Sequence, residues 1–285
     1  MTSSDIPEER VFFNRRGELP GVELRTWTDS ARSWCRYTAE YEFLAPITWQ
    51  ARVWHRRRES SLSAGWLLCA HPGDVIAAKR VLQSGALSSL SVDTTTLDAY
   101  LAAHGVALDQ QRLRSVTRMS ETLQHRLLAV FESLRTEADA TLLQGRMLEF
   151  VEALVAEAFD KSLQPLSRQS PESRAAARIR ECLQDDPAIT VDLDTLSRHT
   201  GMSRFQVVRV FKRRYGLPPH SYQLQRRLVL AQKSLRDGMR PAQVAAEFGF
   251  VDQSHLTRHF KRLVGVTPAQ YARVSPAPGG DRRVG

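Results

Sequence analysis

PAQVAAEFGFVDQSHLTRHFKRLVGVTPAQY, residues 241–271, is the stretch that decides the fold of the C-terminal part of the chain. Val244, Ala245 and Phe248 recur at helical spacing, and Gly249 supplies the permissive backbone that a tight turn between two helices requires. A second helix starts at once. Asp252 or Ser254 caps it by accepting from free backbone N–H groups, and Leu256, Phe260 and Leu263 form its apolar stripe. The other face carries Gln253, Ser254, Thr257, Arg258 and Lys261. Two short helices joined by a Gly turn, the second apolar inside and basic outside, have the form of a helix-turn-helix that enters a DNA major groove.

The unit occurs twice. Counting back 49 residues, Arg258, Phe260, Lys261, Arg262, Gly265, Pro268 and Tyr271 land on Arg209, Phe211, Lys212, Arg213, Gly216, Pro219 and Tyr222. Upstream of the second helix the offset becomes 48, with Gly249 matching Gly201, so one turn is a residue longer than the other. Between the copies, Leu224, Leu228, Ala231 and Leu235 predict one connecting helix over residues 221–235.

These residues resemble the signature of the AraC/XylS family of bacterial transcription regulators. Gly249-Phe250, Ser254, Leu256, Arg258, Phe260-Lys261, Gly265, Thr267-Pro268 and Tyr271-Ala272-Arg273 fit that pattern, as do Arg227-Leu228 and Ala231; Ser197 departs from the Ala usual in the family. The resemblance covers residues 174–273. It implies a DNA-binding domain over 174–275, with helix-turn-helix motifs at 191–214 and 240–263. It also implies base-facing positions at Phe205, Val208, Arg209, Gln253, Ser254, Thr257 and Arg258, and Gln206, on the same helix as Phe205, is expected to contact bases with them. Arg can grip guanine and Gln adenine through two hydrogen bonds each, while Phe205 and Val208 suit thymine methyls. Arg204, Lys212, Arg213, Lys261 and Arg262 are expected at phosphates. As family traits, an activator that touches RNA polymerase, a small-molecule effector bound by the N-terminal domain, and a homodimer are the expected function and partners.

Composition agrees with a duplex partner. The net charge of +9 sits in residues 171–275, which hold 18 Lys and Arg against 9 Asp and Glu, while residues 1–170 balance at 20 against 21. At 285 residues the chain calls for more than one domain. Three dispersed cysteines, Cys35, Cys69 and Cys182, suggest neither a disulfide framework nor a zinc site. With no signal-peptide pattern and no apolar run of ~18 residues, a cytoplasmic protein away from membranes is expected.

Upstream, residues 1–20 form an N-terminal segment. From 21 to 93, short runs rich in Trp, Val, Thr and Tyr, punctuated by turns such as His71-Pro72-Gly73-Asp74, predict an antiparallel β domain. It resembles the small cupin barrel that many AraC-type regulators carry. From 94 to 160 helical spacing returns: Leu113, Val116, Leu123, Leu127, Phe131 and Leu134 make one stripe, and Leu143, Met147, Phe150, Val151, Leu154 and Phe159 another. In the family such helices dimerise the protein. Residues 161–173, rich in Ser, Pro and Gln, read as a linker, and 276–285 as a tail. The expected fold class is therefore α+β: a β-barrel with packed helices, followed by an all-α domain.

Trp49, Arg52, Trp54, His55 and Trp66 lie on predicted strands and are the candidate effector pocket. His199, His220, His255 and His259 are spread along helices without a ligand-spacing pattern, so no metal site and no cofactor are expected. The alternative reading is a cupin metalloenzyme with a DNA-binding tail. It needs the HxH pair and Glu used by such enzymes, which the sequence lacks, and there is no GxSxG, Walker or GxGxxG motif in place. A non-enzymatic regulator is the expectation.

Overall fold

In the computed structural model, residues 10–15, 19, 21–104, 112–136, 139–160 and 171–274 are described, and the chain divides into two units with the main boundary between residues 163 and 164. The first unit opens with β1 (Arg10–Arg15), β2 (Val22–Ser30), β3 (Trp34–Tyr37), β4 (Tyr41–Pro46), β5 (Gln50–His55) and β6 (Arg58–Leu62). It continues with β7 (Trp66–Ala70), β8 (Val75–Gln83), β9 (Gly85–Val92), α1 (Thr94–Ala103), β10 (Arg112–Leu113), β11 (Val116–Arg118), α2 (Glu121–Arg135), α3 (Ala140–Ala158) and β12 (Phe159–Asp160).

The strands form two separate sheets, of order β1-β2-β9-β4-β7-β11 and β3-β8-β5-β6, together with a short β10-β12 pair. The expected barrel is therefore not closed. From β2 to β9 the chain crosses between the sheets at every connection except β5–β6, so successive strands become neighbours in opposite layers instead of one continuous wall. At the turn His71-Pro72-Gly73-Asp74, Gly73 takes φ +87° and its N–H donates to Thr38 O at 2.7 Å.

Strand alternation gives the six-stranded sheet two inner faces. Val22, Leu24, Phe43, Leu67, Leu90 and Val92 meet the helices in one apolar core, where Phe43 packs edge-on against Phe150 at 5.4 Å. Helices α2 and α3 bring Leu123, Leu127, Phe131, Met147, Phe150 and Leu154 to it. Ser120 caps α2 by accepting from Leu123 N at 3.2 Å, and Asp139 caps α3 by accepting from Thr141 N at 2.7 Å.

Four sequence expectations change here. Leu113 and Val116 belong to strands and not to the helical stripe, because Val116–Arg118 completes the large sheet against β7. Residues 10–15, expected in a plain N-terminal segment, pair with β2 as an edge strand. Strand β6 escaped notice since RESSL has little strand propensity; its hairpin turn is Arg56-Arg57, both at positive φ without a glycine. Pro171 starts a helix, so 171–173 are not linker, whereas 161–170 and the tail 276–285 lie outside the described residues.

The second unit holds α4 (Pro171–Gln184), α5 (Leu193–Thr200), α6 (Arg204–Tyr215), α7 (Pro219–Arg236), α8 (Pro241–Glu247), α9 (Gln253–Val264) and α10 (Pro268–Val274). The repeat reappears as geometry. Phe211 meets Tyr222, and 49 residues on Phe260 meets Tyr271, both at 5.3 Å between ring centroids and both edge-on. Val264, not Leu263, completes the buried stripe of α9. Ser197 uses its hydroxyl, donating to Met202 O at 2.7 Å across the turn between α5 and α6.

The turn glycines are not equivalent. Gly249 sits at φ +67°, and a Cβ there would lie 2.2 Å from Ala188 O; Gly201, at φ +69°, faces open space. Gly201→Ala therefore costs only the left-handed backbone penalty, ~1 kcal/mol, while Gly249→Ala adds a backbone clash and costs ~3 kcal/mol. Urea unfolding followed by helical circular dichroism checks this ordering, and equal losses would contradict it.

Candidate nucleic-acid interface

Helices α6 and α9 have 12 residues each, and each is fixed at both ends. Ser203 and Gln206 form a reciprocal capping box at α6, and Asp252 accepts from His255 N at 2.6 Å at α9. Gly216 and Gly265 end the helices in left-handed conformation, at φ +82° and +94°. Val207, Val210 and Phe211 point inward in α6, as do Leu256, Phe260 and Val264 in α9. The remaining faces are turned to solvent.

On α6, Arg204, Phe205, Gln206, Arg209, Lys212 and Arg213 are exposed and Val208 is half-buried; on α9, Gln253, Ser254, Arg258, Lys261 and Arg262 are exposed and Thr257 is half-buried. Phe205 is 76% exposed, far more than an aromatic ring with no partner in water would favour. Arg209, Lys212, Arg258 and Lys261 make no ion pair or hydrogen bond among the described residues, and so present free cations. Others are committed. Arg204 pairs with Asp194 through two nitrogens, Arg213 pairs with Glu172, and Gln206 accepts at Oε1 from Ser203 N at 2.9 Å, which leaves its amide N–H groups free to donate. Thr257 donates to Gln253 O at 2.8 Å, which commits its hydroxyl proton to its own helix. Val251, 87% exposed beside the N-cap of α9, was missed in the sequence; its only signal is an apolar residue outside the helical stripe.

Arg227 fixes the scaffold between the two motifs. Only 7% exposed, it donates from α7 to Pro187 O at 2.6 Å, Thr190 Oγ1 at 2.9 Å, Ala188 O at 3.3 Å and Gly249 O at 3.4 Å. One guanidinium thus holds the segment leading into α5 and the turn leading into α9.

The histidines that look dispersed in the sequence converge. His220, His255 and His259 line a pocket of about 150 Å³ with Thr190, Gln223 and Arg227. The rings of His255 and His259 meet edge-on at 4.6 Å. Val251 N donates to His255 Nδ1 at 3.4 Å, and Arg262 donates to His259 Nδ1 at 3.2 Å, so each imidazole accepts at Nδ1. Among the described residues, no three His, Cys, Asp or Glu side chains are placed to hold a metal ion.

The candidate effector residues of the first unit separate by strand parity. Trp49 and His55 are buried with Ala51 and Val53, His55 Nδ1 lying 2.5 Å from Ser115 Oγ. Arg52 and Trp54 have the opposite parity and face outward, Arg52 paired with Glu59 at 3.0 Å and Trp54 under Lys79 at 5.8 Å. Trp66 is half-buried and shares the parity of Leu68. The five do not form one pocket. Trp49 packs instead on Trp34, at 6.3 Å and nearly parallel, and Trp34 in turn meets Arg36, whose guanidinium lies 4.9 Å from the ring centres of both Trp27 and Trp34.

Two capped helices with exposed basic faces, repeated on one scaffold, define a double helix-turn-helix of the DNA-binding type. A family profile described as a helix-turn-helix domain matches residues 196–273. The chain is 34% identical over 136 residues to the uncharacterized HTH-type transcriptional regulator YbfI of Bacillus subtilis (strain 168), covering 46% of this chain and 49% of YbfI. It is 33% identical over 89 residues to the probable transcription factor PqrA of Proteus vulgaris, covering 31% of this chain and 73% of PqrA. The crystal structure of apo ToxT K231A from Vibrio cholerae strain SCE256 superposes with a TM-score of 0.51 at 11% identity, over 92% of this chain and 99% of that one, a likeness of fold. The chain belongs to the AraC/XylS family. It spans about half the length of YbfI.

The histidine pocket generates a pH dependence. Burial, reinforced by His255, Arg262, Arg258 and His220, holds the His259 imidazole below its ordinary value of 6.5. With the folded pKa depressed, the unfolded chain takes up the proton first as pH falls below 6.5, so stability is lost from there down to the folded pKa and then levels off. The urea midpoint of the helical transition is expected to fall between neutral pH and about pH 5. His259→Gln, which keeps a polar side chain but cannot titrate, should shallow that fall, and an unchanged slope would show that His259 is not its source.

Proposed function

We propose that the chain is a sequence-specific DNA-binding transcription regulator, working in the cytoplasm as a homodimer, with the first unit sensing a small molecule. The observation that carries this is the pair of recognition helices whose exposed faces hold unpaired cations beside exposed apolar side chains, a combination that suits base edges and phosphates together. The concentration of all the net charge in residues 171–275 supports it, as does the family. Phe205, Val208, Arg209, Gln253, Ser254, Thr257 and Arg258 are the base readers in this reading, with Gln206 as a donor. Lys212, Lys261 and Arg262 take phosphates, while Arg204 and Arg213 do so after leaving their carboxylate partners.

Transcription activation through RNA polymerase is the direction we favour, since relatives include proteins named as activators, such as AarP of Providencia stuartii. Leu128, Leu142 and Leu148 stand exposed on α2 and α3, and these helices are our dimerisation surface. No described helix is long and apolar enough to cross a membrane.

Site selection from random duplex DNA tests the reading. Arg258→Ala and Arg209→Ala should each relax preference at one base position, a loss of ~1–3 kcal/mol, the two positions lying about one helical turn apart. Arg262→Ala should weaken all sequences alike and lower the salt slope by about one unit. If both first variants keep the full sequence preference and lose only affinity, the arginines are phosphate clamps and base reading belongs to their neighbours.

A further inference from the structure

The layer between the two sheets buries charge beside apolar side chains such as Leu44 and Leu68, which have the opposite strand parity to the helix-packed Phe43 and Leu67. Glu42, 1% exposed, accepts on one oxygen from Arg36 of the opposite sheet and from Ser89 Oγ at 2.6 Å, and Glu23, also 1% exposed, pairs with Arg25 at 2.9 Å. Each buried carboxylate has its own guanidinium, so the cluster is electrically closed. Apolar residues of similar size would hold two sheets together as well or better, which makes two buried carboxylates with partly buried guanidinium partners a feature needing an explanation.

Two buried N–H donors at this place have no acceptor. Trp49 is fully buried with its indole Nε1–H unpartnered, and Arg36, though paired through Nη2, leaves Nε unpartnered. A buried indole N–H ordinarily finds an acceptor, and buried polar atoms are ordinarily bonded. The two orphans are joined through aromatic surfaces: Trp34 lies within 16° of parallel to Trp49, and Arg36 lies against Trp34 and Trp27. Trp27 and Trp34 are only half-buried, so this corner borders the surface.

We propose that this corner binds a neutral, flat molecule bearing hydrogen-bond acceptors, such as an aromatic amide, lactone or heteroaromatic carbonyl compound. The proposal rests on the reading of the first unit as effector-sensing and supplies the chemical class of that effector. Three features select the class. The unmet demand is for acceptors, because both orphans are donors. The charges already cancel in pairs, so a carboxylate would enter with nothing left to balance it. The indole faces favour a planar ring over a polyhydroxylated one, whose own hydroxyl donors would find the Glu42 oxygen that takes Arg36 and Ser89 already engaged.

The test is ligand-observed NMR on the full chain with benzamide, benzoate and glucose as probes. Benzamide should bind saturably in the millimolar range, benzoate at least tenfold more weakly, and glucose more weakly still. Trp49→Phe keeps a ring and removes the N–H, and Arg36→Lys keeps the charge opposite Glu42 and removes Nε; each should weaken benzamide about tenfold. Thermal melting shows whether the variants are folded, and if either is not, the ranking of the three probes on the unaltered chain still decides. Benzoate or glucose outranking benzamide, or benzamide indifferent to both substitutions in folded variants, overturns the class and leaves a sensing domain for another ligand. Uptake of none of the three overturns the site. Benzamide that binds through Trp49 without changing affinity for duplex DNA keeps the site and removes its sensing role.

Discussion

The C-terminal unit depends on one buried cation. Arg227 places a guanidinium among the carbonyls of Pro187, Ala188 and Gly249, oxygens that no helix ladder satisfies. Each is an acceptor that would lose water without compensation if that side chain were absent, and burial lowers the Arg227 pKa without discharging it, since guanidinium holds its proton throughout the accessible range. Because these carbonyls precede one recognition motif and lie inside the turn of the other, the same contact sets both. The glycine at 249 follows from it. A carbonyl from the first motif approaches so closely that no side chain fits, and the left-handed backbone there is the conformation that lets Phe250 N bond Ala245 O at 2.9 Å.

The double motif was legible because a repeat supplies its own control: an exposed Arg at 209 means little until another stands at 258 in the same register. Of the two caps that spacing offers for the second helix, Asp252 and Ser254, the fold uses Asp252, while the Ser203 cap and the inward ring pairs come from the fold itself. What remained illegible depends on distance in space. Strand parity showed that residues 52 and 54 cannot share a face with 49, a deduction open to the sequence once strand β5 is placed. The gathering of His220, His255 and His259 was not open to it, since it needs α7 packed on α9. Nor was the charged interior of the first unit. Val22, Glu23, Leu24 and Arg25 alternate as a strand with one wet face would, yet Glu23 is buried as deeply as its apolar neighbours. The alternation signals two different interiors, one apolar against helices and one mixed against a second sheet, where Glu23 and Glu42 lie beside Leu44 and Leu68.

The two interiors imply different sensitivities. Phe43 and Phe150 sit in a close-packed apolar core, where lost volume costs stability directly. The polar layer gains less from its own contacts, because desolvating Glu23, Glu42 and their arginines offsets much of what pairing returns.

The two motifs share a core and differ at the surface, and the difference begins at the N-caps. In the first, Ser203 draws Gln206 into a capping box, so a polar side chain that faces outward is half spent on its own helix and the exposed Phe205 ring dominates the leading edge. In the second, Asp252 caps alone, which leaves Gln253 unspent and sets Val251 at the edge of a turn longer by one residue. The ion pairs sharpen the contrast. Arg204 and Arg213 of the first helix are held by Asp194 and Glu172, whereas Lys261 and Arg258 of the second have no carboxylate partner among the described residues. One helix is apolar and partly neutralised, the other polar and without carboxylate partners among the described residues. A duplex site read by such a pair is directional, and a chain with inequivalent halves can distinguish the two orientations of its own site without any partner.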